Sequence, residues 1–497
     1  MTGNEKFSVE NLKEKTASGG VYTGLSQLLI SVITFGSTPI LTRLLTPDDF
    51  GVVAMVAAVM GFAQLFSDAG FSAATIQRKE VSSQQVSNLF WIACVLGGIL
   101  CLFVIFTSPI LALLYGDPRV TGIAMAWSLS FLVSALSIQP LAILRRDMKF
   151  GTVATIDVLF VTVASLTAIA IAWLTNSYYA LVFGPLAGSL TKALLAFGTS
   201  RFIPMRPRRN ADTRQLVRFG ANLTGFHALH YFSRNADNIL IGKFVGSAPL
   251  GIYSKAYALM MLPLRQLNLP LTAVAVPALS RLQDDPGKYR AAYMSIVEKL
   301  IICATPICLV CVFFSESVVS VLLGPKWPAA APILAILAIN GLTQPVVNSA
   351  GWLFISQDRT KDLLRWGLMS APVIVASFVV GLPFGPQGVA ISYTCTFAVI
   401  TPLLLAYVAQ KGPVQFSQFV CLGKVAFRYA ACNAIGLYIC SRLTANQSDW
   451  LQLVAATMLA GALTIGLLLS SVHGRKTIQE FGMAISLAMR SRRSASS

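Results

Sequence analysis

Apolar runs of about 20 residues recur along this chain from Gly19 almost to its end, separated by short polar intervals. Each run is long enough to cross a hydrocarbon core of roughly 30 Å as a helix. The pattern places fourteen helices at roughly 19–41, 50–68, 88–113, 121–143, 153–174, 178–198, 217–242, 250–276, 295–323, 330–355, 365–383, 387–409, 423–442 and 450–472. Pro372 lies inside the eleventh and Pro383 closes it, and residues 69–87 are compatible with an extension of the second helix past the membrane. The first run is too long for a signal-peptide core and lacks a convincing cleavage site, so it reads as a retained first helix. The expected fold is an all-α polytopic membrane protein.

The polar positions that interrupt this pattern are informative. In the seventh run, His227, His230, Arg234, Asp237 and Ile241 follow one another at steps of 3, 4, 3 and 4, so they share one face of a helix. Leu229, Phe232, Leu240 and Phe244 form the opposite, apolar face. A charge at bilayer depth costs roughly 2.5–3.5 kcal/mol on insertion scales, so such residues normally face a bundle interior or water. This helix is therefore read as lining a polar pathway. Two plainer readings remain open: Arg234 and Asp237 neutralising one another as a structural pair, or a stripe lying closer to the interface.

Composition agrees with the pattern: 55% of the 497 residues are hydrophobic and 12% charged, the latter about half the soluble average of roughly 25%. A net charge of +18 would point to nucleic acid in a soluble protein, but here orientation accounts for it. Of 38 Lys and Arg, 28 fall on the side of the two termini and five (Arg43, Arg119, Lys243, Lys326, Arg442) on the other. That asymmetry places both ends in the cytoplasm. The basic loops, Arg201 to Arg218 above all, either act as topogenic signals resting on anionic headgroups or gather an anionic substrate or partner.

The chain also repeats itself at an offset near 200. Residues 41–53, LTRLLTPDDFGVV, align with 241–253, IGKFVGSAPLGIY, so that Arg43 meets Lys243 and Gly51 meets Gly251. Further matches pair Leu113 to Gly116 with Val321 to Gly324, and Gln139-Pro140 with Gln344-Pro345. Six helices separate equivalent positions, so the repeats insert the same way round. The predicted organisation is a cytoplasmic segment 1–18, a six-helix lobe 19–200, a basic loop 201–216, a second six-helix lobe 217–410, two further helices in 411–472, and a basic tail 473–497. The first-lobe counterparts of His227, Arg234, Asp237 and Asn238 are Gln27, Thr34, Ser37 and Thr38, so a cavity between the lobes would be asymmetrically electropositive.

Lys255 and Arg265 extend this basic character onto the eighth helix, whose Pro263 and Pro270 suggest bends. Arg265, Lys192 and Arg428 also fit a role as cations that snorkel to an interface. Asp157, Asp237 and Asp68 are the intramembrane carboxylates able to bind a proton or Na⁺ and couple transport to a gradient; for Asp68, in the turn-like SDAG, a capping role competes. Cys308 and Cys311 form a C-x-x-C inside an apolar run with no His or second pair nearby, which reads as core filler. The chain holds neither a phosphate-cradling G-x-x-x-x-G-K-[ST] nor a zinc-type H-E-x-x-H.

Three stretches resemble one known family. The runs FAQLFSDAGFSAATIQRKEVSSQQVSNLFW (62–91), RNADNILIGKFVGSAPLGIYSKAYALMMLPL (234–264) and VPALSRLQDD (276–285) look like blocks of bacterial Wzx-type polysaccharide flippases. These form the polysaccharide transporter branch of the multidrug/oligosaccharidyl-lipid/polysaccharide exporter superfamily; the likeness is to the colanic-acid (WzxC-like) and succinoglycan (ExoT-like) exporters and covers about residues 15 to 410. The resemblance implies a fourteen-helix, two-lobed alternating-access transporter of the inner membrane. Its cargo would be an undecaprenyl-pyrophosphate-linked oligosaccharide, with a polymerase and chain-length regulator as partners, no nucleic acid, no enzymatic step and no cofactor beyond a coupling H⁺ or Na⁺. Arg234, Lys255 and Arg265 would meet the pyrophosphate, with His227, His230 and the amides Asn222, Asn235 and Asn238 completing the substrate site. Rival readings are a cation-coupled small-drug exporter, a peptidoglycan-precursor flippase, and a membrane polysaccharide polymerase. The last would need a sizeable external loop, whereas the longest predicted is about eight residues.

Overall fold

The computed structural model describes residues 9–68, 70–77, 81–208, 231, 235–470 and 474. The chain is all-α and divides into two compact units, Met1–Gly251 and Ile252–Ser497. The first comprises α1 (Val9–Leu44), α2 (Pro47–Asp68), α3 (Phe71–Gln77), α4 (Ser83–Tyr115), α5 (Arg119–Arg146), α6 (Phe150–Thr175), α7 (Ala180–Ser200) and α8, described over 235–244. Helix α9 (Ser247–Ser280) starts at the end of the first unit and continues into the second. There follow α10 (Pro286–Phe313), α11 (Ser315–Leu322), α12 (Ala330–Gly341), α13 (Gln344–Ser356), α14 (Thr360–Gly381), α15 (Gly385–Ala409), α16 (Phe416–Leu443) and α17 (Asp449–Ser470). Among the described residues, nine helices are long and apolar enough to cross a membrane, or ten if α12 and α13 are one bent span.

The ends of these helices follow from local chemistry. Ser82 and Gln85 form a reciprocal capping box that starts α4, and Gly116 closes it in the left-handed region at φ 69°. Gly70, at φ 68°, separates α3 from α2, and the two together form one 30-residue apolar stretch, Pro47–Ile76. The polar residues from Val9 onward belong to the same continuous helix as the first apolar run. Two expected single helices are broken. Residues 295–323 divide at Phe314, whose φ of −122° is not helical, and 330–355 bend by 43° between α12 and α13. Pro345 has no N–H to continue the ladder across that second break. Pro372 by contrast is absorbed within α14.

In the first unit α4 packs along α5, α6 along both α7 and α1, and α2 and α7 against α5. In the second, Tyr289, Tyr293, Trp352, Phe354 and Phe419 lie in one buried cluster, and α16 and α17 pack onto α10 through Leu309, Phe314, Leu437, Ala456 and Ala460. Large apolar side chains such as Phe106 and Leu113, 76% and 83% exposed, point outward, as expected where the solvent is lipid.

Candidate functional site

Four of the eight substrate-site residues expected from the sequence (Asn222, His227, His230 and Arg234) lie outside the described residues, as does the side chain of Asp68 at the end of α2. Asn235 and Asn238, with the coupling candidate Asp237, stand on α8. Asp237 is buried, and its Oδ1 accepts the Asn238 backbone N–H at 2.8 Å; Asn235 donates its side-chain amide to the Tyr231 carbonyl at 3.0 Å. The phenol of Tyr231 reaches α2, donating to the carbonyl of Ala58 at 3.1 Å, and a side chain at Gly61 would occupy its place. Gly61 thus leaves room for the Tyr231 ring beside α2. On α9, in the second unit, Lys255 is half-buried and Arg265 exposed; ten residues apart, they stand about 15 Å apart along the axis. Helix α9 runs unbroken through Pro263 and Pro270.

The hydroxyl-bearing face of α1 is satisfied by its own helix: Thr34 donates to the Ile30 carbonyl at 2.8 Å and Thr38 to that of Thr34 at 2.7 Å. Ser37 additionally accepts from Ser165 of α6 at 3.4 Å.

Two charged centres were not legible as such in the sequence. One joins α6 and α7. Gly184 and Gly188, one turn apart on α7, let the helices approach until a side chain at either would lie 2.7 Å from a backbone carbonyl of α6, that of Ala164 or Phe160. One turn further, Lys192 donates to Asp157 Oδ1 at 2.7 Å and lies 5.4 Å from the centre of the Phe160 ring. The coupling candidate Asp157 is therefore ion-paired, with side-chain exposures of 29% for it and 25% for Lys192. Lys192, for which snorkelling to an interface is one of two readings from the sequence, has Asp157 as its partner.

The other centre joins the starts of α2, α5 and α9. Arg119 holds Asp117 through Nε and Nη2, at 3.0 and 2.7 Å, and Asp48 through Nη1 at 2.5 Å. The second oxygen of Asp48 accepts the Ser247 hydroxyl. Beneath this network Gly51 and Gly251 pack against each other's helices. One further set of polar residues was missed: Gln84, Ser87, Asn88 and Trp91 at the start of α4 all bond the irregular segment 202–208. Their spacing of 3, 1 and 3 is a helical stripe, a signal visible in the sequence though its partner is not.

A family model described as polysaccharide biosynthesis protein matches residues 40–332. Lipopolysaccharide biosynthesis protein WzxC of Escherichia coli (strain K12) is 25% identical over 413 residues, covering 82% of this chain and 83% of that protein. Teichuronic acid biosynthesis protein TuaB of Bacillus subtilis (strain 168) is 28% identical over 360 residues, 72% of this chain and 74% of that protein. Among solved structures, lipid II flippase MurJ in an inward closed conformation matches with a TM-score of 0.73 at 12% identity, over 90% of this chain and 99% of that one. At that identity the match establishes the fold.

Proposed function

The chain belongs to the polysaccharide biosynthesis protein family, and from that premise we propose that it is a flippase for lipid-linked oligosaccharide repeat units. The family match across residues 40–332, on a chain with the fold of a lipid flippase, carries the reading. The protein sits in the inner membrane as fourteen helices with both termini in the cytoplasm. Two six-helix lobes, 19–200 and 217–410, alternate access to a cationic cavity, with the last two helices beside them. The cargo is an undecaprenyl-pyrophosphate-linked oligosaccharide, moved to the periplasmic leaflet for a polymerase and its chain-length regulator. No bond in it is made or broken.

The physical problem is to take a pyrophosphate through hydrocarbon, which requires charge-assisted hydrogen bonds that move with the open side. Arg234, Lys255 and Arg265 serve the pyrophosphate, and Arg suits bidentate phosphate contact better than Lys. Asn222, Asn235 and Asn238, with His227 and His230, serve the sugar. Asp157 and Asp237 are the candidates for binding the driving proton or Na⁺.

The test compares otherwise identical polymerase-deficient strains with and without the gene. Spheroplasts receive an impermeant glycan-labelling reagent from outside. Label on undecaprenyl-linked oligosaccharide that depends on the protein is the expected result, and Arg234→Ala or Lys255→Ala should reduce it at least tenfold at normal membrane levels. Equal labelling in both strains, with other flippase genes deleted, would overturn the reading.

A further inference from the structure

The segment that leaves α7 reads Arg201-Phe-Ile-Pro-Met-Arg-Pro-Arg208 and has no regular secondary structure over 202–208. Such a segment must find partners for its backbone polar groups. Pro204 and Pro207 have no N–H to satisfy, and the first turns of α4 partner five of the other groups, on Met205, Arg206 and Arg208. Ser87 accepts the Met205 N–H at 3.1 Å, Trp91 donates its indole N–H to the Met205 carbonyl at 2.9 Å, and Gln84 donates to the Arg206 carbonyl at 2.8 Å. The buried amide of Asn88 meets Arg208 twice, donating to its carbonyl at 2.6 Å and accepting its N–H at 3.0 Å, as a neighbouring strand would. Phe202 anchors the start against Phe90 and Phe197, at ring separations of 5.7 and 6.3 Å. A loop that only retained positive charge on one side of a membrane would need none of these bonds.

The clasp holds the backbone and leaves the side chains outward. Arg201, Arg206 and Arg208 are exposed, and among the described residues their guanidinium groups make no hydrogen bond or ion pair. Beside them Ile203 is 83% exposed, and Met205 and Trp91 each 40%. The strap crosses α4 where its sequence passes from polar (Ser83 to Asn88) to apolar (Leu89 onward), the level of a hydrocarbon boundary. Apolar teeth, an interfacial Trp and three arginines at that level match the layered chemistry of a phospholipid leaflet: acyl chain, then phosphate.

We infer that the strap 202–208, clasped by Gln84, Ser87, Asn88 and Trp91, is a docking surface for anionic phospholipid headgroups, with Arg201, Arg206 and Arg208 on the phosphates and Ile203 and Met205 in the acyl boundary. It anchors the segment entering the basic loop to the leaflet surface. This inference needs only a membrane protein and stands apart from the transport reading.

The experiment titrates short-chain phosphatidylglycerol and phosphatidylcholine into the full-length protein in neutral detergent at about 0.1 M salt. The wild type should prefer phosphatidylglycerol. Each Arg→Gln change should weaken its binding about fivefold, on the order of 100-fold for R201Q/R206Q/R208Q, since a basic residue near an anionic surface contributes about that much. Binding of phosphatidylcholine should not move, and added salt should weaken the wild type more than the triple variant. Asn88→Leu keeps all three arginines, but should raise hydrogen exchange at the Met205 and Arg208 amides and weaken phosphatidylglycerol binding. If R201Q/R206Q/R208Q unfolds early in a thermal scan, the single variant R206Q is used and its fivefold loss is the criterion. Unchanged phosphatidylglycerol affinity in the arginine variants would overturn the inference. So would inorganic pyrophosphate binding the wild type as tightly without lipid and losing that binding in R201Q/R206Q/R208Q, which would make this a soluble-phosphate site.

Discussion

Gly51 and Gly251 press into each other's helices as mirror partners: a side chain on Gly51 would overlap the Ser247 carbonyl, and one on Gly251 the Pro47 carbonyl. The four positions form two pairs, 47 with 247 and 51 with 251, each offset by the 200 residues that relate the internal repeats. The contact is therefore built twice from the same element, with the first turn of α2 and the first turn of α9 each serving as the other's floor. Asp48 and Ser247 close it from above.

Because the obstacles at Gly51 and Gly251 are backbone atoms that cannot rotate away, either Gly→Ala change should cost about 1–3 kcal/mol and reduce transport at least tenfold. Gly36→Ala is the control: a side chain there meets no described atom within 4 Å, and replacing a helical Gly stabilises by roughly 0.5–1 kcal/mol. Thermal unfolding of the three variants in detergent, with spheroplast labelling, separates them. Equal behaviour of G51A and G36A would show that the two helix starts part easily.

The Arg119 bridge above this contact has modest value. Arg119 and Asp48 keep 35% and 39% of their side chains exposed, so Arg119→Ala should cost about 0.5–1 kcal/mol. Its more specific effect is local: with Asp48 released from its guanidinium partner, hydrogen exchange should rise in the first turn of α9. Exchange rising equally throughout α9 would instead indicate general loosening.

Asp285 gives a pH prediction. It caps α10, where its carboxylate accepts the Lys288 N–H at 3.0 Å and the Gly287 N–H at 3.1 Å. The Lys288 backbone bond, then its ammonium at 3.0 Å, hold the carboxyl below the usual range. A depressed folded pKa contributes stability above the unfolded value, about 3.9, and that contribution is lost as pH falls through the folded one. Asp285→Asn keeps a capping side chain and removes only the charge. Its Tm should lie below wild type at pH 7 and converge with it in acid; a constant difference from pH 7 to 3 would rule out the charge as the cause.

The all-α, many-span character was legible because hydrophobic runs of bilayer length admit few other readings, while the described residues give nine or ten candidate spans beside the fourteen expected. What escaped were contacts between distant positions that depend on how closely two backbones approach. Gly51 and Gly251 were visible as a matched pair of repeats, but nothing in a one-dimensional alignment says that matched positions touch. Gln84, Ser87, Asn88 and Trp91 form a stripe readable in SSQQVSNLFW, yet their partner is an irregular segment 114 to 122 residues away. The breaks at Phe314 and Leu342 had local signals, Ser315-Glu316-Ser317 after the first and Asn340, Gly341 and Pro345 around the second, but the apolar runs on either side were long enough together to pass for single spans. Lys192 and Asp157 could each be placed in a span, but their meeting is decided by Gly184 and Gly188, whose small size sets the distance between α6 and α7.

That pair carries the last prediction, because it separates a structural ion pair from a coupling site. Removing one partner, by Lys192→Met or Asp157→Asn, strands or weakens a charge in a low-dielectric setting. The cost should be about 1–2 kcal/mol, below the 3–5 of a fully buried pair, since each side chain keeps at least a quarter of its surface exposed. The double variant should recover most of this loss, because the two remaining neutral groups no longer demand each other. If the pair is only structural, transport should recover along with stability. If Asp157 binds the driving ion, the double variant should regain its Tm and still fail to accumulate outward-labelled oligosaccharide, with the residual activity no longer responding to an imposed proton or Na⁺ gradient. Parallel recovery of Tm and gradient-responsive transport would remove Asp157 from the coupling mechanism and leave Asp237 as the described carboxylate to test next.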